Sequence, residues 1–258
     1  ATPGNPMISI VIPNKDHYKD LDLCVTSVLK KSTYRNFEII IVENNSTEKE
    51  TFDYYNKIQK EYDNVRVLTW EREFNYSAIN NFGVKEAKGD YILLLNNDTK
   101  ILDKDSLGDM LGYCMRPEVG IVGSKLIYGD GTIQHAGVIL GLGGIAGHAF
   151  IGLDAKEYGY MSRAYLSCDY TAVTAACLMV PKAVFDEVGG LCEEYAVAFN
   201  DVDLCMKVRS KGYLVVYDAF SQWYHYESKS RGYEDTPEKQ LRFKGEIETF
   251  QSKWQKEL

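Results

Sequence analysis

The sequence predicts an α/β domain: a Rossmann-like, mostly parallel central sheet flanked by helices, with a mixed second half. Two observations carry this. Short, nearly continuous apolar runs recur at residues 8–13, 37–42, 65–68 and 91–95, the pattern of strands buried on both faces. Between them lie polar, helix-compatible stretches, and strands alternating with helices specify parallel pairing through right-handed crossovers.

The first strand, Ile8-Ser-Ile-Val-Ile, is ended by Pro13. Residues 18–31 follow with Leu21, Val25, Val28 and Leu29 at helical spacing, which predicts a helix with one buried stripe. The run Phe37-Glu-Ile-Ile-Ile-Val42 returns to strand, 48–62 reads as helix, 65–68 as strand and 77–87 as helix, before Gly89-Asp90 turns into Tyr91-Ile-Leu-Leu-Leu95. Beyond residue 100 the pattern is less regular. Strands are predicted near 120–127, 133–140 and 173–180, then a helix over 201–211, a short strand over 213–217 and an amphipathic terminal helix over 237–256. Ligands of such sheets sit at the carboxyl ends of the strands, which places Pro13-Asn14-Lys15, Glu43-Asn44-Asn45 and Asn96-Asn97-Asp98 along one polar rim.

Composition bounds the partners. A chain of 258 residues can bury a sizeable core and reads as one domain over 7–258, preceded by a linker at 1–6 and cut from a longer chain. Within it, 101–258 is expected to supply the other wall of a cleft that 1–100 opens. A net charge of −8 argues against nucleic acid, which is gripped through clustered Lys and Arg. A small diphosphate fits if a cation supplies the missing positive charge. The six cysteines form no Cys-x-x-Cys pair, so free thiols in a reducing compartment are expected. No apolar run is long enough to cross a bilayer; the expected location is the cytoplasm, compatible with peripheral association at the inner face of the membrane.

Asp98 follows three leucines and two asparagines, so a buried strand delivers it to the rim. Residue type alone leaves metal ligation and turn formation both open. His225, among aromatics in Trp223-Tyr-His-Tyr226, reads by residue type alone first as a packed, hydrogen-bonded core residue and only second as a ligand. Asp201 opens a helix, where it or Asn200 could cap; Asp203, two residues on, faces away. The run Gly141-Leu-Gly-Gly-Ile-Ala146 matches a dinucleotide fingerprint but lacks the strand–turn–helix context. It reads instead as a loop bordering the cleft, with His135 and His148 nearby.

Taken in order, Ile8-Ser-Ile-Val-Ile-Pro-Asn14, Ile40-Ile-Val-Glu43-Asn-Asn-Ser-Thr47, Asn81-Phe-Gly83, Gly89-Asp-Tyr-Ile-Leu-Leu-Leu-Asn-Asn-Asp98, Gly189-Gly190, Asn200-Asp-Val-Asp-Leu-Cys205 and Gly212-Tyr213 through to His225 resemble the family 2 glycosyltransferases of GT-A fold. The stretch Phe74-Asn-Tyr-Ser-Ala-Ile-Asn80 is similar to members that build bacterial surface polysaccharides with rhamnose or hexose donors. The resemblance implies that Pro13 and Glu43 line a uridine or thymidine pocket, that Asn81 lies beside the base, and that Asn96-Asn97-Asp98 stands for an Asp-x-Asp motif keeping only its last carboxylate. It implies Asp98 and His225 as ligands of Mn²⁺ or Mg²⁺, Asp201 as the general base of an inverting transfer, and Asn200 in the usual glutamate position. Cys192 stands where the family commonly has aspartate, so Glu193 or Glu194 is left to make an acceptor contact. Lys229 or Arg231 would close over the donor phosphates. The implied partners are a nucleotide-sugar donor, bound by 1–100, and a glycan or lipid-linked saccharide acceptor, met by the catalytic half over 101–258 with His135 and His148 as acceptor-side candidates. A sugar nucleotidyltransferase and a catalytically silent carbohydrate-binding domain are the competing readings.

Overall fold

The computed structural model describes residues 2–142, 145–226 and 236–257. The first half alternates as expected: β1 (Ile8–Asn14), α1 (Tyr18–Lys31), β2 (Phe37–Glu43), α2 (Lys49–Glu61), β3 (Val65–Thr69), α3 (Tyr76–Lys85) and β4 (Tyr91–Leu95). Strand β1 pairs in parallel with both β2 and β4, and β2 with β3. The second half adds β5 (Thr99–Ile101), α4 (Ser106–Cys114), β6 (Val119–Ile127), β7 (Ile133–His135), β8 (Val138–Leu140), β9 (Ala146–His148), β10 (Cys168–Asp169), β11 (Cys177–Pro181), α5 (Lys182–Glu187), α6 (Asn200–Ser210), β12 (Leu214–His225) and α7 (Pro237–Trp254). The sheet runs β10-β12-β6-β11-β4-β1-β2-β3, with β5 on β12 and β7 on β6. It is mixed, because β11 runs antiparallel to both β4 and β6.

Helices cover both faces, which is why the inner strands β1, β2 and β4 are largely apolar. Ile8, Ile10 and Ile12 face α1, α2 and α4 in one core; Val11, Ile92 and Leu94 face α3, α5 and α6 in the other. Helix α3 lies close on the sheet because Gly83 has no side chain: a Cβ there would stand 2.5 Å from Val11 Cγ1.

Three expectations change. The run 133–140 breaks into β7 and β8 at Gly137, whose φ of +99° suits glycine. Strand β11 begins at Cys177 rather than 173, leaving Thr174–Ala176 irregular beside the cleft. The strand predicted over 213–217 runs on to His225, with a register break between Asp218 and Gln222; that bulge hides the continuation from a period-two reading. Elements β5, α4, α5 and β10 have no counterpart in the sequence prediction, being too short or too weakly periodic.

Candidate active site

A cleft of about 720 Å³ opens at the carboxyl ends of β1 and β4. Pro13 to His17 and Asn96 to Asp98 line one wall; Tyr128, Gln134, His148, Thr174 and Asp201 line the other. Among the described residues lining it, Lys15 is the single Lys or Arg.

The first wall is braced from behind. Asn97 Nδ2 donates to Asn14 Oδ1 at 2.6 Å, Asn14 Nδ2 to the Tyr55 hydroxyl at 2.7 Å, and that hydroxyl to Glu43 Oε2 at 2.7 Å. Ser46 completes the chain, its N–H donating to Glu43 Oε1 at 2.6 Å and its hydroxyl to Oε2 at 2.5 Å. Burial, then the bond to Glu43, pushes the Tyr55 pKa up, so the phenol stays a donor. Glu43 is therefore buried and engaged by Ser46 and Tyr55 behind the rim, outside the cleft lining, rather than turned toward a ribose and base as expected.

At the cleft floor Asp98 and His225 meet. The pairing of β5 with β12 sets Thr99 opposite His225, and Tyr226 N donates to the Asp98 carbonyl at 3.0 Å, so residues distant in sequence are clamped by sheet register. Asp98 Oδ1 stands 3.2 Å from His225 Nε2, and each residue is 7% exposed. Gln134 Oε1 lies 2.7 Å from His225 Nδ1. An amide oxygen only accepts, so Nδ1 carries a hydrogen, and Nε2 is the ring nitrogen turned toward Asp98. Asn96 Nδ2, 3.2 Å away, also approaches Nε2, and the Tyr76 hydroxyl donates to Asn96 Oδ1 at 3.4 Å. A carboxylate oxygen and an imidazole nitrogen this close can both touch one divalent ion, and the Gln134 contact is the outer support such a histidine needs. Among the described residues no group of three or more His, Cys, Asp or Glu that could hold a metal ion is found; Asp98 and His225 offer one carboxylate oxygen and one imidazole nitrogen, a donor pair of the kind that divalent ions accept.

Asp201 sits in the first turn of α6, its Oδ2 accepting from Ala175 N at 3.1 Å and Oδ1 from Val202 N at 2.8 Å. The cap is Phe199, not Asn200 or Asp201, and its φ of 61° is left-handed, a conformation that costs a bulky residue about 1–3 kcal/mol. Helix α7 holds it there: Phe199 stacks on Phe243 and Phe250, with ring centroids 5.7 and 5.3 Å away. Glu246 accepts from Val197 N at 2.8 Å and Ala198 N at 3.3 Å. Asp203 faces away, fully buried, taking Trp254 Nε1 at 2.9 Å and Lys253 Nζ at 2.6 Å.

Asn81 does not reach the cleft. Tyr76 and Ile79 present one face of α3 to it; Asn81, two positions past Ile79, lies on the opposite side and bonds Leu191 O at 2.9 Å and Glu193 Oε1 at 3.0 Å. Arg231 and Lys229 lie outside the described residues. His148 lines the cleft and His135 is buried behind it, their Nδ1 atoms 3.2 Å apart. Burial, then His148 and His225, pushes the His135 pKa well below the usual histidine range. All six cysteines are free. Gln134, Tyr55, Tyr76 and Glu246 were not singled out from sequence, since no local spacing ties them to the residues they hold.

The profile of "Glycosyl transferase family 2" matches residues 9–188. The chain belongs to this family and has the GT-A fold. It is 46% identical over 252 residues to the uncharacterized protein y4gI of Sinorhizobium fredii, covering 97% of this chain and 28% of that one. Over 241 residues it is 39% identical to the O-antigen biosynthesis protein RfbC of Myxococcus xanthus, covering 91% of this chain and 18% of RfbC. It thus spans less than a third of either relative's length. Among solved structures, GalNAc-T7 with UDP, GalNAc and Mn²⁺ superposes with a TM-score of 0.73 at 14% identity, covering 91% of this chain and 46% of that one. Among the described residues no helix is long and apolar enough to cross a membrane.

Proposed function

We propose that this chain is a divalent-metal-dependent, inverting glycosyltransferase that moves a sugar from a UDP- or dTDP-sugar to a hydroxyl of a glycan or lipid-linked saccharide during surface-polysaccharide synthesis. The observation that carries this is the Asp98 Oδ1–His225 Nε2 pair, 3.2 Å apart in a cleft that also holds Asp201. With Lys15 the lone Lys or Arg among the described lining residues, a diphosphate needs a cation, and Asp98 and His225 would hold it. When bound, Mn²⁺ or Mg²⁺ offsets the charge that develops on the departing diphosphate. The UDP and Mn²⁺ seen with GalNAc-T7 support this reading, and the name of RfbC supports the polysaccharide role.

Pro13, Asn96 and Asn97 line the donor side, where the amides can hydrogen-bond hydroxyl or phosphate oxygens. Glu43 supports that side from behind through Tyr55 and Asn14. Asp201 takes the proton of the acceptor hydroxyl as its oxygen bonds the anomeric carbon, and the bond from that carbon to the diphosphate breaks, its electron pair leaving with the nucleotide. Attack from the face opposite the nucleotide inverts the anomeric centre.

Calorimetry with UDP, dTDP and CTP, with and without Mn²⁺, tests the proposal. Metal-dependent binding of a diphosphate is expected. Preference for the triphosphate would favour a nucleotidyltransferase, and absence of binding a silent carbohydrate-binding domain.

A further inference from the structure

The pair His135–His148 fixes a hydrogen atom in a place the mechanism above does not use. His135 is fully buried, and its Nε2 accepts two long hydrogen bonds, from Gly137 N at 3.4 Å and Thr174 N at 3.5 Å. A nitrogen facing two N–H donors carries no hydrogen, so the His135 proton is on Nδ1. That atom faces His148 Nδ1 at 3.2 Å, with the two rings edge to face and their centroids 4.9 Å apart. His148 Nδ1 must then accept, and its own hydrogen is left on Nε2, the remaining polar atom of a side chain that lines the cleft. The backbone joins this pair to the proposed base: Thr174 N donates to His135, while the next residue's N–H, Ala175 N, donates to Asp201.

We infer that His148 is an acceptor-binding residue that presents Nε2–H to a hydroxyl oxygen of the acceptor saccharide, with His135 as the positioning residue that fixes its tautomer. The inference rests on the transferase reading above. It assigns His148 to the acceptor because His148 stands on the Asp201 wall, whereas the Asp98 to Asn96 rim and Pro13 form the donor wall. An N–H donor at this place recognises an acceptor oxygen.

The test uses histidine side-chain nitrogen spectra, which need resolve only four histidines. In the free chain at a pH where the ring is neutral, His148 is expected as the Nε2–H tautomer and His135 as Nδ1–H; His148 found as Nδ1–H overturns the inference. Addition of UDP, dTDP or GDP with Mg²⁺ is expected to move the His225 signals, and methyl hexopyranosides (gluco, galacto, manno and rhamno) added next are expected to move His148. If no nucleotide moves His225, the transferase reading itself fails. If His225 responds but none of the glycosides moves His148, this inference fails while that reading stands. His148→Ala is expected to weaken binding of the responding glycoside about tenfold, the loss of one hydrogen bond, with nucleotide affinity unchanged. His148→Gln, which keeps an N–H near the Nε2 position, is expected to recover most of it. Equal weakening by both variants would assign His148 a packing role instead.

Discussion

The two walls of the cleft hold their polar side chains in opposite ways. On the wall made by β1, β2 and β4, the polar groups satisfy one another in a chain from Asn97 through Asn14 and Tyr55 to Glu43. On the wall built after residue 100, His225, Asp201 and His148 are each held by a partner of their own: Gln134, the Ala175 N–H and His135. The first arrangement couples the rim residues to one another; the second holds each side chain through its own contact. Variants of the second wall, and of Asp98 where it meets His225, are therefore expected to change chemistry, and those that strike the chain from Asn97 to Glu43 to change stability.

The largest effect is expected at the corner where the walls meet. Asp98→Ala removes the carboxylate beside His225, and transfer is expected to fall by about three orders of magnitude, the scale for losing a preorganised charge contact, together with metal-dependent nucleotide binding. Initial rates with and without Mn²⁺ measure it, and a variant retaining half the wild-type rate would remove Asp98 from the site. Next is Asp201→Asn, expected to lower kcat by about 10²–10⁴ while nucleotide affinity, read by calorimetry, stays close to that of the unaltered chain. An equal loss of nucleotide affinity would show Asp201 to be a donor-side residue. Smaller again, Gln134→Leu leaves His225 Nδ1 without its acceptor and is expected to weaken divalent-ion affinity about 10–100-fold; Gln134→Glu, which keeps an oxygen there, should not.

The same contrast explains what could be read from the chain alone. Strands β1 to β4 announce themselves because a sheet covered on both faces demands nearly continuous apolar runs, and their ends put Asn96 to Asp98 on the rim by geometry. His225 is a different case. Its strand is interrupted by the bulge at Asp218–Gln222, so periodicity stopped at 217, and only the family resemblance pointed beyond it. Asn81 shows the limit of that resemblance: its position was matched, but α3 turns it toward Leu191 and Glu193. Gln134, Tyr55 and Glu246 act through tertiary contacts that no window of sequence contains.

The smallest effects come from two buried carboxylates away from the cleft, and they differ in sign. Glu38, at the start of β2, is pushed up by burial but pulled below its usual 4.5 by Ser9 Oγ, Lys88 N–H and Arg66. Asp218, at the bulge of β12, is pushed above its usual 3.8 by burial, which outweighs the Phe220 N–H and the Ser167 hydroxyl. A lowered folded pKa means that the stabilisation by Glu38 is complete above its unfolded pKa and is lost as pH falls through the folded one. A raised folded pKa means the reverse: the contribution of Asp218 is most favourable below its unfolded pKa and declines as pH rises through the folded one. Glu38→Gln is therefore expected to cost about 1 kcal/mol at neutral pH, the worth of a partly replaced hydrogen-bond set, with the gap closing in acid. Asp218→Asn is expected to gain stability relative to the unaltered chain as pH rises from acid to neutral. Urea unfolding midpoints of the three proteins across that range decide it. If both differences follow pH with the same sign, the Asp218 carboxyl is as well satisfied as that of Glu38, and the bulge that carries β12 on to His225 is no looser than the parallel strands.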